Sequence, residues 1–456
     1  MRRVFGLETE YGFFCRVTGN RHPSRENIIS YVFNQTVPGA QKGNVFLENG
    51  GRLYLDSGFH PEYATPEADQ VADLVAHDKA GERIVADLLL RARHLLHEEG
   101  FTESVLAFKN NTDTVGNSYG CHENYLARRD VTLECLAAGL IPFLVTRQVF
   151  TGAGKVLRTI RGSRFCLSQR AQHICQEISG GTTTTRAIIN TRDETLADPT
   201  RYRRLHLILG DSNMSEVTTY LKVGTTALVI DMIEDGWLNG DYSLHAPVEA
   251  LRTISRDPTL RTTVKLKDGR LLTALEIQHE YLEQALRYVQ SSGGDAERRD
   301  ILCRWTRAIE RLEREPLLLD REVDWVIKLR WMTNLMDRHG ISWNDPRIPL
   351  LDLQYHDMRP NRSVYQHLVS LGMVERITTD AVVERAMHVP PQTTRARLRG
   401  ECIRRLLVSG TEYRVDWSCL KVLGAEEPTR TIQWRDPLQA HDEDTEDLIE
   451  TLTRPT

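Results

Sequence analysis

Two stretches near the amino terminus, GLETEYG at 6–12 and NGGRLYLDSGFHPEYAT at 49–65, decide the fold. The first lies among β-branched and aromatic residues, which predicts a buried strand over 4–14. In the second, Asn49-Gly50-Gly51 is a strong hairpin signal between two short strands. Because side chains alternate along a strand, both stretches predict a sheet with one apolar face and one polar face.

Beyond these stretches the patterns alternate between strand and helix, and after residue 215 they are mostly helical. We expect an α+β fold, with mostly antiparallel strands first and helices afterwards. The candidate strands are 45–48, 52–56, 105–109, 122–128, 186–191 and 204–209, and the candidate helices are 67–99, 215–235, 276–290 and 322–338.

The composition changes at Pro390-Pro391, where a basic segment, short strand candidates and an acidic tail follow. We place a small C-terminal domain at 389–456 and a catalytic domain at 1–388. The tail is expected to be a solvated helix end or disordered, because its many like charges repel one another.

Composition excludes several classes of function. The chain has 456 residues, 40% hydrophobic and 27% charged, with a net charge of −5, which gives no global attraction to nucleic acid. The longest apolar run, 135–145, is too short for a bilayer span of about 20 residues, so no membrane partner is expected. Acidic residues at 8 and 10 interrupt any signal peptide, which predicts a cytoplasmic protein. Eight scattered cysteines without a CxxC pair predict neither a zinc site nor a disulfide framework.

Glu8 and Glu10 share one face of the first strand and lie about 7 Å apart. Two such carboxylates repel each other unless a cation lies between them, and hard oxygen ligands suit Mg²⁺. Neutralising Glu8, or Glu62 further along the chain, should then leave the metal-free protein no less stable. The alternative is the solvated edge of a sheet.

Arg52, Tyr54 and Asp56 also share one strand face, and Glu62 follows closely enough to reach the same site. An arginine can bind a phosphate with two parallel hydrogen bonds, and an aspartate can accept a proton. Glu62 is a third candidate metal ligand. The alternative is an ion pair on a solvated sheet face.

Arg204 and His206 share a face of a later strand, and beside carboxylates they would fit a phosphate-and-metal site. The alternative for His206 is a satisfied core or surface histidine. The small polar residues at 109–113, 116–120 and 122–124 predict a loop that approaches a ligand closely, and the alternative is an ordered turn with internal hydrogen bonds. Since P-loop and Rossmann patterns are absent from the sequence, ATP would need another architecture, such as carboxylates on an antiparallel sheet.

Taken together, the motifs resemble the family of Pup ligases and Pup deamidases/depupylases, a branch of the glutamine synthetase-like carboxylate–amine ligases. The resemblance runs over nearly the whole chain. It implies a large domain whose curved antiparallel sheet cradles ATP, and a small C-terminal domain. The motifs beyond the opening stretches are FKNNTD, GNSYGCHENYL, PFLVTRQ, LSQRAQHI, IINTRDE, YRRLHLILGDSNMSE and PPQTTRARLRGE.

The resemblance also implies roles for individual positions. These are Asp56 as the catalytic aspartate; Arg52, Thr65 and Trp417 as ATP contacts, with Arg204 as a further nucleotide contact; Glu8, Tyr54 and Glu62 as magnesium ligands; and Glu10, His122 and His206 as additions to the metal and phosphate shell.

The depupylases of this family carry a long insertion after the first strand, whereas only about forty residues separate Glu10 from Arg52 here. The resemblance therefore implies a ligase that uses ATP and Mg²⁺ to join the C-terminal glutamate side chain of Pup to target lysines. The intermediate would be a γ-glutamyl phosphate, and the tagged proteins would pass to a proteasome. The alternatives are a Pup deamidase or depupylase and a non-catalytic binding relative.

Overall fold

The computed structural model describes residues 2–18, 33–34, 43–56, 58–98, 102–113, 116–160, 162–181, 185–423 and 430–453. Its strands are β1 Phe5–Glu10, β2 Gly12–Thr18, β3 Asn44–Phe46, β4 Arg52–Leu55, β5 Pro61–Ala64, β6 Thr102–Phe108, β7 Cys121–Arg128, β8 Lys155–Thr159, β9 Gly162–Cys166, β10 Gln176–Ser179, β11 Ala187–Asn190, β12 Tyr202–Leu207, β13 Thr263–Lys265, β14 Leu271–Thr273, β15 Glu412–Val415, β16 Cys419–Leu423 and β17 Arg430–Gln433. Its helices are α1 Val71–Glu98, α2 Leu133–Thr146, α3 Gln148–Thr151, α4 Glu216–Glu234, α5 Pro247–Ser255, α6 Ala274–Ser292, α7 Ala296–Arg314, α8 Asp324–His339, α9 Ile348–Gln354, α10 Val364–Ser370, α11 Asp380–His388, α12 Ala396–Ser409 and α13 Glu443–Thr453.

The centre of the molecule is an eight-stranded sheet in the order β10-β11-β12-β7-β1-β5-β4-β3. Its pairs are antiparallel except β10 with β11, which is parallel. Along β1, Phe5 and Leu7 are buried in the main hydrophobic core together with residues of α1, α2 and α4. Since alternate residues point the other way, Glu8 and Glu10 lie on the opposite face of the sheet. The α+β class expected from the sequence is confirmed.

The strand register determines which polar side chains are neighbours in the site. On β1, Glu8 lies opposite His122 of β7, and Glu10 lies opposite Glu62 of β5. On the other side of β5, Tyr54 of β4 is also paired with Glu62. Directly opposed residues of antiparallel strands have neighbouring side chains, so these polar groups converge across three strand pairs.

The long predicted helix at 67–99 begins later than expected, at Val71. The two acidic residues ahead of it serve another purpose, because Glu67 pairs with Arg395 and Arg399, and Asp69 accepts a hydrogen bond from Thr393. The helix predicted at 215–235 is confirmed as α4, whose first turn is capped by the side chain of Ser215.

Helix α2 is absent from the sequence prediction. Its residues, 133–146, form the apolar run that the sequence shows around position 140, and nine of them are buried. A helix that is apolar on every side has no periodic stripe, so periodicity could not reveal it. Among the described residues, no helix combines the length and the apolar character needed to cross a bilayer.

The C-terminal residues form a three-stranded sheet, β15-β16-β17, with α12 and α13. This unit has its own apolar cluster, to which Leu406, Leu420 and Trp434 belong. The acidic tail is helical as α13, with Leu448 buried in that cluster. The boundary at 389 stays a prediction. No disulfide joins the cysteines within the described residues.

Candidate functional site

The polar face of the sheet forms the floor of a cavity of about 1780 Å³. Strands from both halves of the sheet, the segment at 116–120 and the C-terminal unit all contribute to its walls. The structure brings together every residue to which the sequence resemblance gave a role, and all of them line this cavity: Glu8, Glu10, Arg52, Tyr54, Asp56, Glu62, Thr65, His122, Arg204, His206 and Trp417.

Glu8 is surrounded by basic and amide donors. Its Oε1 accepts hydrogen bonds from Arg204 Nη2 at 2.9 Å and Asn124 Nδ2 at 3.1 Å, and its Oε2 lies 3.4 Å from His122 Nδ1. Burial alone would raise the pKa of Glu8, but the bond to His122 and the charge of Arg204 outweigh it and hold this pKa well below its usual value. Glu8 is therefore a carboxylate whose charge the protein itself balances.

Glu62 has the opposite surroundings. Its side chain is buried, and burial together with the negative charges of Glu8 and Glu10 raises its pKa well above the usual value. The hydroxyl of Tyr54 is hydrogen-bonded to Glu62 and offsets only part of this effect. Within the described residues, neither Glu10 nor Glu62 forms an ion pair with a lysine or arginine.

The carboxylates and histidines group closely enough to hold a cation. Ligand atoms of Glu10, Glu62 and His122 lie within 4.8 Å of one another, as do those of Glu8, His122 and His206. Both ring nitrogens of His206 are buried without a hydrogen-bond partner, and burial lowers the pKa of His206 well below its usual value. His206 is thus a neutral imidazole, the form in which histidine can coordinate a metal.

Asp56 directly follows β4 and is fixed by its own turn. Its Oδ1 accepts hydrogen bonds from the backbone N–H of Gly58 at 2.8 Å and of His60 at 2.6 Å, and its Oδ2 lies 3.4 Å from His60 Nδ1. Phe59 in this turn has a φ of 60°, a left-handed conformation that is costly for a bulky residue. The turn therefore holds one carboxylate oxygen and leaves the other beside His60 and the cavity.

A more aromatic part of the cavity lies toward the C-terminal unit. The guanidinium of Arg52 is 4.2 Å from the ring centroid of Tyr54. The ring of Trp417 packs edge-on against Phe46 at 5.1 Å, and Arg399 lies 4.8 Å from the centroid of Trp417. An aromatic surface beside a cationic fork is suited to a base and its phosphates.

The side chain of Thr65 is hydrogen-bonded to the backbone of the sheet. Its hydroxyl accepts a hydrogen bond from the N–H of Leu7 at 3.0 Å. It still lines the cavity, and its contact with ATP stays a prediction.

Two residues of the site had no individual role in the sequence prediction. Asn124, which belongs to the polar group at 122–124, bridges Glu8 and Arg204 and lies two residues after His122 on the same strand face. A histidine before proline, as His60 is, is often only a turn residue, yet His60 lies beside both Asp56 and the ring of Tyr119. The sequence around His60 does not distinguish a turn residue from a residue of the site.

Carboxylates lie along one face of a mainly antiparallel sheet, and a small C-terminal unit contributes to the wall of the cavity. A bifunctional glutathione synthetase from Pasteurella multocida is similar in fold alone, with a TM-score of 0.50, 12% identity and coverage of 95% of this chain and 59% of that chain.

Residues 3–421 match the family described as Pup-ligase protein, and the chain belongs to this family. It is 50% identical to a Pup–protein ligase from Actinosynnema mirum over 99% of this chain and 100% of that relative. A Pup–protein ligase from Nakamurella multipartita is 48% identical over the same shares. Two solved structures are also similar: a complex between the prokaryotic ubiquitin-like protein Pup and its ligase PafA (TM-score 0.91, 38% identity, 99% of this chain and 91% of that chain) and the Pup ligase PafA with ADP (0.84, 37%, 96% and 97%).

Proposed function

We propose that this chain is an ATP-dependent Pup–protein ligase, which joins the side-chain carboxylate of the C-terminal glutamate of Pup to lysines of target proteins. The observation that carries the proposal is the cavity itself. It combines carboxylates in contrasting electrostatic surroundings, a fixed aspartate and an aromatic pocket in a chain that is related over almost its full length to Pup ligases.

The nucleotide would lie toward Trp417 and Arg52. Trp417 offers a ring for adenine, and the fork of Arg52 offers donors to phosphate oxygens, with Arg204 at the far end of the phosphates. Thr65 and the backbone around it would contact the same ligand. The relative solved with ADP supports a nucleotide site in this fold.

Magnesium fits the residues present. Glu10, which is half-buried, and Glu62, which is buried, form a close pair without a described cationic partner, and oxygen atoms are the ligands that Mg²⁺ prefers. Glu62, Glu8 and Glu10 would hold the ion, with Tyr54 orienting Glu62 and His206 completing the shell. When bound, the ion neutralises charge on the phosphates during transfer.

The reaction has two steps. The carboxylate oxygen of the glutamate side chain attacks the γ-phosphorus of ATP, so that ADP leaves and a γ-glutamyl phosphate forms. A target lysine then attacks the acyl carbon, and phosphate leaves as the isopeptide bond forms. The lysine is protonated near pH 7, since its reference pKa is about 10.4. Asp56, with its free oxygen toward the cavity, would accept the proton that the lysine must lose.

The second candidate function, deamidation of Pup or cleavage of the isopeptide bond, could use the same aspartate. It would consume no stoichiometric ATP, because water and not a phosphorylated acyl donor would be the reactant. The short connection between β1 and β4 favours the ligase. The cytoplasm, where ATP is regenerated, is the proposed location, and delivery of tagged proteins to a proteasome is the proposed consequence.

The test is to incubate the protein with Pup ending in glutamate, a lysine-bearing target, ATP and Mg²⁺. We expect a lysine conjugate of Pup by mass spectrometry and one ADP for each bond formed. Conjugate loss in the presence of enzyme without ADP release would instead support the hydrolase. Trp417→Ala should weaken ATP binding by about 1–3 kcal/mol, on the scale of base–aromatic stacking, with the folded fraction checked by melting.

A further inference from the structure

Arg170 is a buried cation beside the cavity. It is 1% exposed, and its guanidinium donates to the carbonyl oxygens of Tyr119 at 2.6 Å and Ile208 at 2.8 Å. Its Nε has no hydrogen-bond partner, and within the described residues the guanidinium forms no ion pair with a carboxylate. A buried charge is costly unless something compensates it, and the carboxylates of Glu10 and Asp211 act on Arg170 only from beyond ion-pair distance. The guanidinium is therefore suited to a further negative group supplied by a ligand.

Arg186 adds a second positive charge at the surface of the same wall. It is half-buried, lines the cavity, and donates through Nη2 to the carbonyl oxygen of Ser118 at 3.0 Å. It too has no ion-pair partner within the described part of the chain. Burial and the charges of Arg170 and Arg186 lower the pKa of the nearby His173 to about 4, which shows a positive potential here. We call Arg170 and Arg186 the arginine wall.

The arginine wall adjoins the reacting end of the cavity through the segment 118–120. The ring of Tyr119, whose carbonyl Arg170 holds, lies 5.0 Å from the ring of His60, the neighbour of Asp56. Gly120 is so close to the acidic cluster that a Cβ there would lie 2.9 Å from Glu10 Oε1. The wall is therefore one short segment away from Asp56 and Glu10.

A peptide that ends in glutamate carries two carboxylates separated by a short carbon chain. Only the side-chain carboxylate must reach the phosphate and Asp56, and the α-carboxylate would be repelled by Glu8, Glu10 and Glu62. We propose that the arginine wall binds the terminal α-carboxylate of the substrate, with Arg186 in direct contact and Arg170 supplying charge from behind. This subsite selects the carboxylate that is activated, and it rests on the proposed ligase function.

The test compares two substrates in two proteins. One substrate is Pup ending in glutamate, and the other is Pup ending in isoglutamine, in which the α-carboxylate is a carboxamide and the side-chain carboxylate is kept. In the wild type we expect the carboxamide to raise KM for Pup by about 10- to 100-fold, the scale of a lost hydrogen bond to a charged group. In Arg186→Gln the KM for both substrates should be high, and their ratio should fall close to one.

Arg164→Gln is the matched control, because Arg164 is exposed on β9 and does not line the cavity. It should keep the wild-type ratio. Conjugation by Arg186→Gln with an unchanged ratio, or a wild type that does not distinguish the substrates, would overturn the subsite alone. A wild type that forms no ATP-dependent conjugate with either substrate would overturn the ligase function and the subsite together.

Discussion

Glu8 and Glu62 lie on neighbouring strands of one cavity, yet the protein treats their charges in opposite ways. Glu8 has Arg204, His122 and Asn124 around it, and its pKa is held low. Glu62 has Glu8 and Glu10 around it, and its pKa is raised. The difference teaches that the charge of Glu8 is already balanced by the folded protein before any ion binds, whereas the charge of Glu62 is balanced only when a cation binds.

This contrast separates two kinds of energetic role. A carboxylate with fixed basic partners stabilises the fold at neutral pH, because its charge is worth more in the folded than in the unfolded chain. A carboxylate among like charges costs stability until an external cation arrives. Sites of this second kind are where binding or catalysis is concentrated.

The largest expected effect is at Asp56, which lies on the Glu62 side of the site. Asp56→Asn preserves the shape and the turn hydrogen bonds but removes the base, so we expect conjugation to slow by about 10²–10⁴-fold. ATP binding should be kept, as measured by titration calorimetry. Conjugation near the wild-type rate would mean that another group accepts the lysine proton.

A smaller effect is expected for Glu8→Gln, and it is an effect on the free energy of unfolding. From the sequence, neutralising any of these carboxylates should relieve repulsion, but the contacts with Arg204 and His122 separate Glu8 from the others. Glu8→Gln should lower the free energy of unfolding of the metal-free protein by about 1–3 kcal/mol, since a partly buried charged hydrogen bond loses its charged acceptor. Urea unfolding measures this change. An equally stable variant would remove the contrast with Glu62.

The smallest effect is on the pH dependence of stability. The folded pKa of Glu62 is above its unfolded value, so its protonated form favours the fold, and this contribution is lost as pH rises from about 4.3 through the raised pKa. For Glu8 the folded pKa is lowered, so its contribution is lost as pH falls below about 4.3. Between pH 4.5 and 7, the metal-free wild type should lose stability relative to Glu62→Gln, by about 1.4 kcal/mol for each unit by which the pKa is raised within that range. Parallel pH profiles from thermal unfolding would contradict this assignment.

Much of the site could be predicted because strands impose alternation. The polar faces of β1 and β4 follow from a period of two, and every residue with an implied role lines the cavity. The electrostatic contrast could not be predicted, because it depends on register. Arg204 reaches Glu8 only because β12 pairs with β7 and β7 with β1, which are long-range contacts.

Other features could not be predicted because the local sequence carries no regular pattern. Helix α2 is apolar on all sides and shows no helical stripe. Arg170 and Arg186 stand in segments without regular patterning, so only their burial and their position beside Tyr119 and Ser118 reveal them.

The central claim is that Glu62 is a ligand for a cation, and the most direct test is the thermal stability of Glu62→Gln with and without metal. The melting temperature is measured with ADP at fixed concentration, first with a chelator and then with increasing Mg²⁺. Glu8→Gln is the comparison variant. The account predicts that Glu62→Gln melts no lower than the wild type without metal and loses most of the stabilisation that Mg²⁺ gives the wild type. A variant that melts lower without metal but gains as much as the wild type from Mg²⁺ would contradict it.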